Sequence, residues 1–510
     1  MDNKRFLKLI LLVLFLLIFS GTTASAQKRV LRVGLYTDPE TIHPFEFKTW
    51  NELPVTDNMT PGLMGIANPK TGSRRMLMAE SVEILENGKD ILIKLKKGYK
   101  FHTGDPLTPE DVKFSVEQIQ MPGNANVYAG IFSEIDQVEI VDDTTLIYRF
   151  QEPFAPWQDT MWMGISSKKY FENVGREKFR SHPVGCGPFQ FKERKRGEYI
   201  SLKVVKNHVE HKPDFNEIRF IIVPDPITRL AMLETKELDL IYDVLPHQMA
   251  ELKRHPHIKI KKAQVPSLYY LSIKPSFFDV LKDPKVRMAI GHAVNRQEIV
   301  DKVFFKEGYP LYAWANKGEI GYDPSFKIEY NLEKARKLLK ESNYQHGTPM
   351  VITYTSVMPN APIVAAILQK YMKNIGINAV TTQLEYGTYL TYARNKDPRA
   401  GHMALSSFAV DQDPNAHLAL GMGSTSTYCY YTDRPNQKEM DNLIAAQSKE
   451  TDKEKRLEIL KQIHAINNAD PGIIALFGLN EIYAMNRRID YSWVSGAIFP
   501  GYLYRTKLVK

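Results

Sequence analysis

Strand-like and helix-like segments interleave along this chain from end to end, and that alternation restricts it to a mixed α/β architecture more tightly than any single motif does. Leu31, Val33 and Leu35 alternate with Arg32 and Gly34, and Ile91, Ile93 and Leu95 with Leu92 and Lys94, the two-residue period of a strand. Val138 and Ile140, then Leu146, Tyr148 and Phe150, flank Asp142-Asp143 and predict a hairpin. Ile200, Leu202 and Val204, and Ile218, Phe220 and Ile222, predict two more strands around a polar loop at 207–215. Helix starts are equally explicit. Thr108-Pro109-Glu110-Asp111 offers a capping hydroxyl, a first-turn proline and an acid at the third helical position, with Val112, Val116 and Ile119 following on one face. Asp283-Pro284 opens a second helix carrying Val286, Ala289, Ile290 and Ala293. Asn331 caps a third, in which Leu332, Ala335, Leu338 and Leu339 oppose Lys334, Arg336 and Lys337. A fourth spans 452–466 around Leu457, Leu460 and Ile463.

At 510 residues the chain exceeds what one hydrophobic core organises, and its length suggests about three domains. The net charge of +9 is scattered rather than clustered, which argues against a nucleic-acid partner. Lys4, Arg5 and Lys8 precede an apolar run at 9–19, and Ala24-Ser25-Ala26 supplies a small-residue cleavage pattern before Gln27. Residues 1–26 are therefore expected to be a signal peptide, and the mature chain periplasmic. The run is shorter than the about 20 apolar residues of a spanning helix, and no Cys stands at the cleavage point to carry a lipid. Two cysteines in an exported chain, Cys186 and Cys429, invite a disulfide; two separate buried thiols are the other reading.

Catalytic machinery is not legible. There is no Gly-x-Ser-x-Gly elbow and no phosphate-binding Gly-rich loop ending in Lys. His208-Val209-Glu210-His211 has its acid at the wrong position for a zinc-protease helix and lies in a polar loop, and His255 and His257 bracket Pro256 in the same way. Pro188 removes an N–H that a phosphate nest at Gly185-Cys186-Gly187 would need. Asp411-Gln412-Asp413 is a carboxylate pair of a kind common in loops. The expectation is a protein without enzymatic activity, cofactor or resident metal.

Several segments resemble the bacterial extracellular solute-binding proteins of family 5, the dipeptide-, oligopeptide- and nickel-binding type that serves ABC importers. They are Met78-Ala79-Glu80-Ser81, Lys94-Leu95-Lys96-Lys97-Gly98, the run from Phe101-His102-Thr103-Gly104-Asp105 to Val112, Pro183-Val184-Gly185-Cys186-Gly187-Pro188-Phe189, Asp283-Pro284-Lys285-Val286-Arg287 with Asn295-Arg296, and Asn374-Ile375-Gly376-Ile377. Where the family has Thr or Ser this chain has Cys186. The resemblance implies a bilobed α/β binding-protein fold with a discontinuous first lobe (27–70, 185–268 and 491–510), an extra inserted domain (71–184) and a second lobe (269–490). It also implies a monomer that closes on a small polar solute, a short peptide or an oligosaccharide-like molecule, and presents it to an inner-membrane permease with its cytoplasmic ATPase. A nickel-type metal chelate is the alternative ligand, and a secreted hydrolase the least favoured reading.

Carried over residue by residue, the resemblance places Lys48, Thr49 and Trp50 along the ligand cleft, with Trp50 equally readable as a core aromatic. It places Tyr269 and Tyr270 on an aromatic pair at the lobe crossover, Tyr386 on an aromatic wall and Arg394 near a basic contact. The stretch Ser406, Ser407, Phe408, Ala409, Val410, Asp411, Gln412, Asp413 and Pro414 corresponds to the family's Trp-x-x-Asp-x-x-Asp-Pro. Aligned on Asp413-Pro414, the amine-anchoring Asp falls on Val410 and the Trp on Ser407, while the carboxylate-binding Arg of oligopeptide-binding relatives falls near Ala404. Either a bulge lets Asp411 take over or the ligand lacks the amine, and the second is favoured.

Overall fold

The computed structural model describes residues 29–68, 73–85, 88–124, 126–265, 267–315, 319–355, 358–409, 413–426, 428–491 and 501–509. The expected signal segment 1–26, Val410 and Asp411 lie outside these described residues.

The first strand, β1 (Val30–Leu35), buries Leu31, Val33 and Leu35 as its alternation requires. Four strands then form a separate antiparallel sheet: β2 (Ala79–Ile84), β3 (Asp90–Leu95), β4 (Ile135–Ile140) and β5 (Thr145–Phe150), in the order β2-β3-β5-β4. Between β3 and β4 the helix Pro109–Gln120 starts as its sequence dictates. Asp111 Oδ2 accepts from Thr108 N at 3.0 Å and from its hydroxyl at 2.7 Å, closing a capping box.

The chain returns to β1 with β6 (Phe189–Lys195), β7 (Tyr199–Val204), β8 (Glu217–Ile222) and β9 (Leu240–Ile241). β1 lies between β8 and β9, parallel to both. The stretch before β6 runs tightly along 58–60: Gly187 N donates to Met59 O at 2.8 Å and Phe189 N to Asn58 O at 3.1 Å. A Cβ on Gly185 or Gly187 would come within 2.4 Å of that backbone, so only glycine allows the approach.

The second half contains β10 (Ile258–Gln264), β11 (Ser267–Ile273), β12 (Gly308–Pro310), β13 (Pro349–Tyr354), β14 (Asn378–Gln383), β15 (Met403–Ala409) and β16 (Ile473–Asn486). The strand order β14-β13-β15-β11-β16-β9-β1-β8-β7-β6 joins both halves. β16 makes that junction. Its residues 473–477 pair with β11, and 480–486 pair with β10. Its side chains alternate between cores on each side of the junction: Ile474 and Leu476 enter one, Ile473 and Ala475 another, Tyr483 and Met485 a third, Ile482 and Ala484 a fourth. Two groups of hydrophobic cores are thus bridged by paired strands, with one crossing between β10 and β11 and the other at 477–480 of β16. The result is a bilobed α/β binding-protein fold.

Of the two readings of the cysteines, the structure has the separate buried thiols and not the disulfide. Both are free and buried, Cys186 in the core around β1 and Cys429 in the other half beside Arg434, so the fold never brings them together.

Candidate functional site

Two polar clusters occupy the surfaces near the strand crossings. The first is acidic and sits on the crossing itself. Asp243 follows β9 with a left-handed φ of 56°, and its backbone N donates to Glu481 Oε1 on β16 at 2.8 Å. Arg229, from the helix Pro226–Glu234, places Nη2 3.8 Å from Asp243 Oδ2 while Nη1 is held by Val223 O at 2.8 Å. Tyr36 packs its ring 5.6 Å from that of Tyr242, and its hydroxyl bonds to Asn51. Tyr269 and Tyr309 contribute to the same electrostatic environment.

Burial pushes the Asp243 carboxyl up to about 6, although its side chain keeps 46% of its exposure. Glu481 is raised well above its ordinary value, first by burial and then by the neighbouring Asp243 charge. Two carboxyls, both pushed toward their neutral forms, thus share one guanidinium, and Asp243 is the partly exposed member of the group. Tyr309 and Gly478 fix its floor. A Cβ on Gly478 would stand 2.3 Å from the Tyr309 ring, whose hydroxyl donates to Val265 O at 3.1 Å across the other crossing.

The second cluster lies on the other half. β11 and β15 pair so that Tyr270 opposes Ser406 and Tyr269 opposes Ser407. Neighbours on a strand leave on opposite faces, so Tyr269 and Tyr270 meet different surroundings. Tyr269 stacks on Phe477 at 5.0 Å, whereas Tyr270, 7% exposed, stacks on Phe408 at 5.3 Å with Trp314 at its edge. Ser406 and Phe408 are half-buried and Ser407 is exposed. The helix Tyr386–Arg394 presents Tyr386, exposed, at its start and Arg394, exposed, at its end. Arg394 Nη2 donates to the Tyr428 hydroxyl at 2.8 Å. Behind them Lys274 is fully buried, with Nζ 5.6 Å from the Tyr389 ring and 5.2 Å from Tyr430 and no hydrogen-bond partner. Burial drives its ammonium down to about 7.

The 48–50 segment is held locally. Lys48 ion-pairs with Glu40. Thr49 caps the next turn, its N and hydroxyl donating to Glu52 Oε2 at 2.8 and 3.0 Å. Trp50 is half-buried, stacked on Trp162 at 5.8 Å and edge-on to Phe47 and Tyr128. It joins the aromatic core of the first half while keeping one exposed side. Behind it a small pocket is lined by His43, Glu52, Thr56, Asp57, Thr60 and Trp162. His43 Nε2, Glu52 Oε1, Asp57 Oδ2 and Trp162 Nε1 are covered and unpartnered. Burial lifts Asp57 to about 8 and lowers His43 to about 4.

Sequence reasoning missed Asp243, Glu481 and Arg229. It also read His255 as a solvated loop residue, whereas the fold gathers it with Glu234 and Glu251. His208 and His211 do remain in a loop, stacked at 5.2 Å, with His208 Nε2 bonded to Cys186 O at 2.9 Å. Among the described residues no helix is long and apolar enough to cross a membrane.

The dipeptide-binding protein of Escherichia coli K12 is 26% identical over 491 residues, covering 88% of this chain and 89% of that protein. Heme-binding protein A of Haemophilus influenzae is 27% identical over 435 residues, 78% and 77% of the two chains. The crystal structure of the ABC transporter substrate-binding protein CtaP of Listeria monocytogenes superposes with a TM-score of 0.86 at 23% identity, covering 94% of this chain and 99% of that one, a likeness of fold. Residues 75–427 match the pattern of the bacterial extracellular solute-binding proteins, family 5 middle region, and the chain belongs to that family of solute-binding proteins.

Proposed function

We propose that this protein captures a small solute carrying a cationic group, a short peptide with a free amino terminus, in the crevice at the strand crossings. The carrying observation is the Asp243–Glu481 pair, two carboxylates against Arg229 alone, walled by tyrosines. A ligand ammonium seated between the two carboxyls favours their ionised forms and gains charge-assisted hydrogen bonds from them. Negative charge supplied from the crossing removes the need for an acid at position 410, so the valine there does not imply a ligand without an amine. Tyr386, Arg394, Ser406 and Phe408 form the opposing wall, Ser407 turns to the other face beside Tyr269, and Lys48, Thr49 and Trp50 form the near rim.

The halves divide as 27–70, 185–268 and 491–510 against 269–490, with 71–184 as the inserted domain. A ligand touching both halves stabilises the closed arrangement by its differential affinity, and closure marks the loaded protein for an ABC permease. The mature protein acts as a periplasmic monomer and releases its ligand chemically unchanged. Agreement with peptide-binding relatives supports this reading.

The test is isothermal titration with short peptides first identified by thermal shift, each compared with its N-acetylated form. Acetylation is expected to weaken binding by about tenfold or more, the scale of losing one charge-assisted contact. Equal affinity for free and acetylated peptides would refute the cationic anchor.

A further inference from the structure

Beside the start of β10, away from the crevice residues, three ligand-bearing side chains converge. The helix Pro226–Glu234 ends on Glu234. The short helix Met249–Leu252 carries Glu251, and its turn continues as Arg254 N donates to Glu251 O at 2.9 Å and His255 N to Leu252 O at 3.2 Å. His255 follows the helix in that tightened turn, and the turn brings its ring back toward Glu251. Glu234, Glu251 and His255 each offer a ligand atom within 4.8 Å of the other two.

His255 Nε2 lies 2.7 Å from Glu234 Oε1, an oxygen that is covered from solvent. The contact already brings an imidazole nitrogen and a carboxylate oxygen to one point, and a divalent cation takes the place of the proton that they share. His257 Nε2 meets Glu234 O at 3.0 Å, which holds the helix end against the turn. The helix C-terminus adds partial negative charge. Among the described residues no lysine or arginine forms an ion pair with Glu234 or Glu251.

We propose that Glu234, Glu251 and His255 form a site for one zinc-type divalent transition-metal ion in the first half of the molecule, separate from the ligand crevice. One imidazole and two carboxylates suit such an ion, with water completing its shell, whereas magnesium and calcium favour all-oxygen shells. The ion ties the end of the helix that carries Arg229 to the lead-in of β10.

Tag-free protein stripped with EDTA and dialysed free of it is titrated calorimetrically with ZnCl2, and in parallel with MgCl2. One Zn2+ per chain is expected, without a magnesium response. His255→Ala is expected to weaken binding about a hundredfold, and Glu251→Gln, at an exposed position, about tenfold. Visible absorption of the Co2+ complex, present in the parent protein, disappears in His255→Ala, while circular dichroism shows both variants folded. Zinc binding that survives both substitutions, or no zinc binding up to about 100 μM, overturns the assignment.

Discussion

Replacing Asp57 by asparagine is expected to stabilise the half of the molecule around β1, by an amount that grows with pH. Asp57 is 7% exposed, its Oδ2 has no partner, and burial lifts its carboxyl from 3.8 to about 8. The sign follows from the raised value. Below about pH 4 the group is protonated in both the folded and unfolded chains and costs nothing; between 4 and 8 the folded chain must hold a proton that the unfolded chain has released; above 8 the penalty is constant. At pH 7 the proton is held about three pH units above the ordinary carboxyl range, which costs about 4 kcal/mol, reduced to about 2 where water enters the pocket. Asparagine has the same shape and no proton to hold. Urea unfolding followed by tryptophan fluorescence reports this half through Trp50, Trp157 and Trp162. The two proteins should coincide near pH 4 and differ by about 2–4 kcal/mol at pH 7. A difference independent of pH, or an asparagine variant less stable throughout, would refute the reasoning.

Lys274→Met should stabilise the other half at neutral pH by about 2–4 kcal/mol, because the folded chain suppresses an ammonium that the unfolded chain keeps; the advantage fades between pH 7 and 10.5, and thermal melts across that range read it. Gly478→Ala forces Tyr309 off the crossing and should cost about 1–3 kcal/mol while weakening ligand binding, so unaltered affinity by titration would count against a role for that contact in closure. Binding of a free-amine peptide should weaken as pH falls through about 6, where Asp243 takes up its proton, and Asp243→Asn should bind more weakly with a flatter pH profile in calorimetry.

The fold was legible wherever its causes are local. Alternation at Leu31, Val33 and Leu35 reflects a strand whose neighbours in sequence face opposite sides, and the Thr108–Asp111 capping box is complete within four residues. Asp283, Asn331 and Asp452 each cap the helix predicted from them, Asp452 accepting from Glu454 N and Lys455 N. The junction was not legible, because nothing in the sequence of β16 says which strands it pairs with. Only its partners, β11 at one end and β10 at the other, reveal that it passes from one lobe to the next. The Cys186–Cys429 pairing failed for a related reason: an even count shows that a bond is chemically allowed, and tertiary placement decides whether it forms.

The candidate site was legible only in part, and the reason is physical. Resemblance carries backbone register, so it names candidates on β15 and on the helix Tyr386–Arg394, but register does not say which face a side chain takes. Tyr269 and Tyr270 are adjacent, yet one meets Phe477 and the other Phe408. Asp243 and Glu481 stand 238 residues apart, so no spacing links them. Asp243 is placed by a left-handed turn after β9 that a non-glycine residue rarely adopts. Such a backbone costs free energy and persists only where the surroundings hold it. Here the bond from Asp243 N to Glu481 does so, binding the β9 turn of one lobe to the strand that crosses into the other. A ligand ammonium drawn to these two carboxylates would therefore act on the joint about which the lobes move, coupling recognition to closure without any further relay.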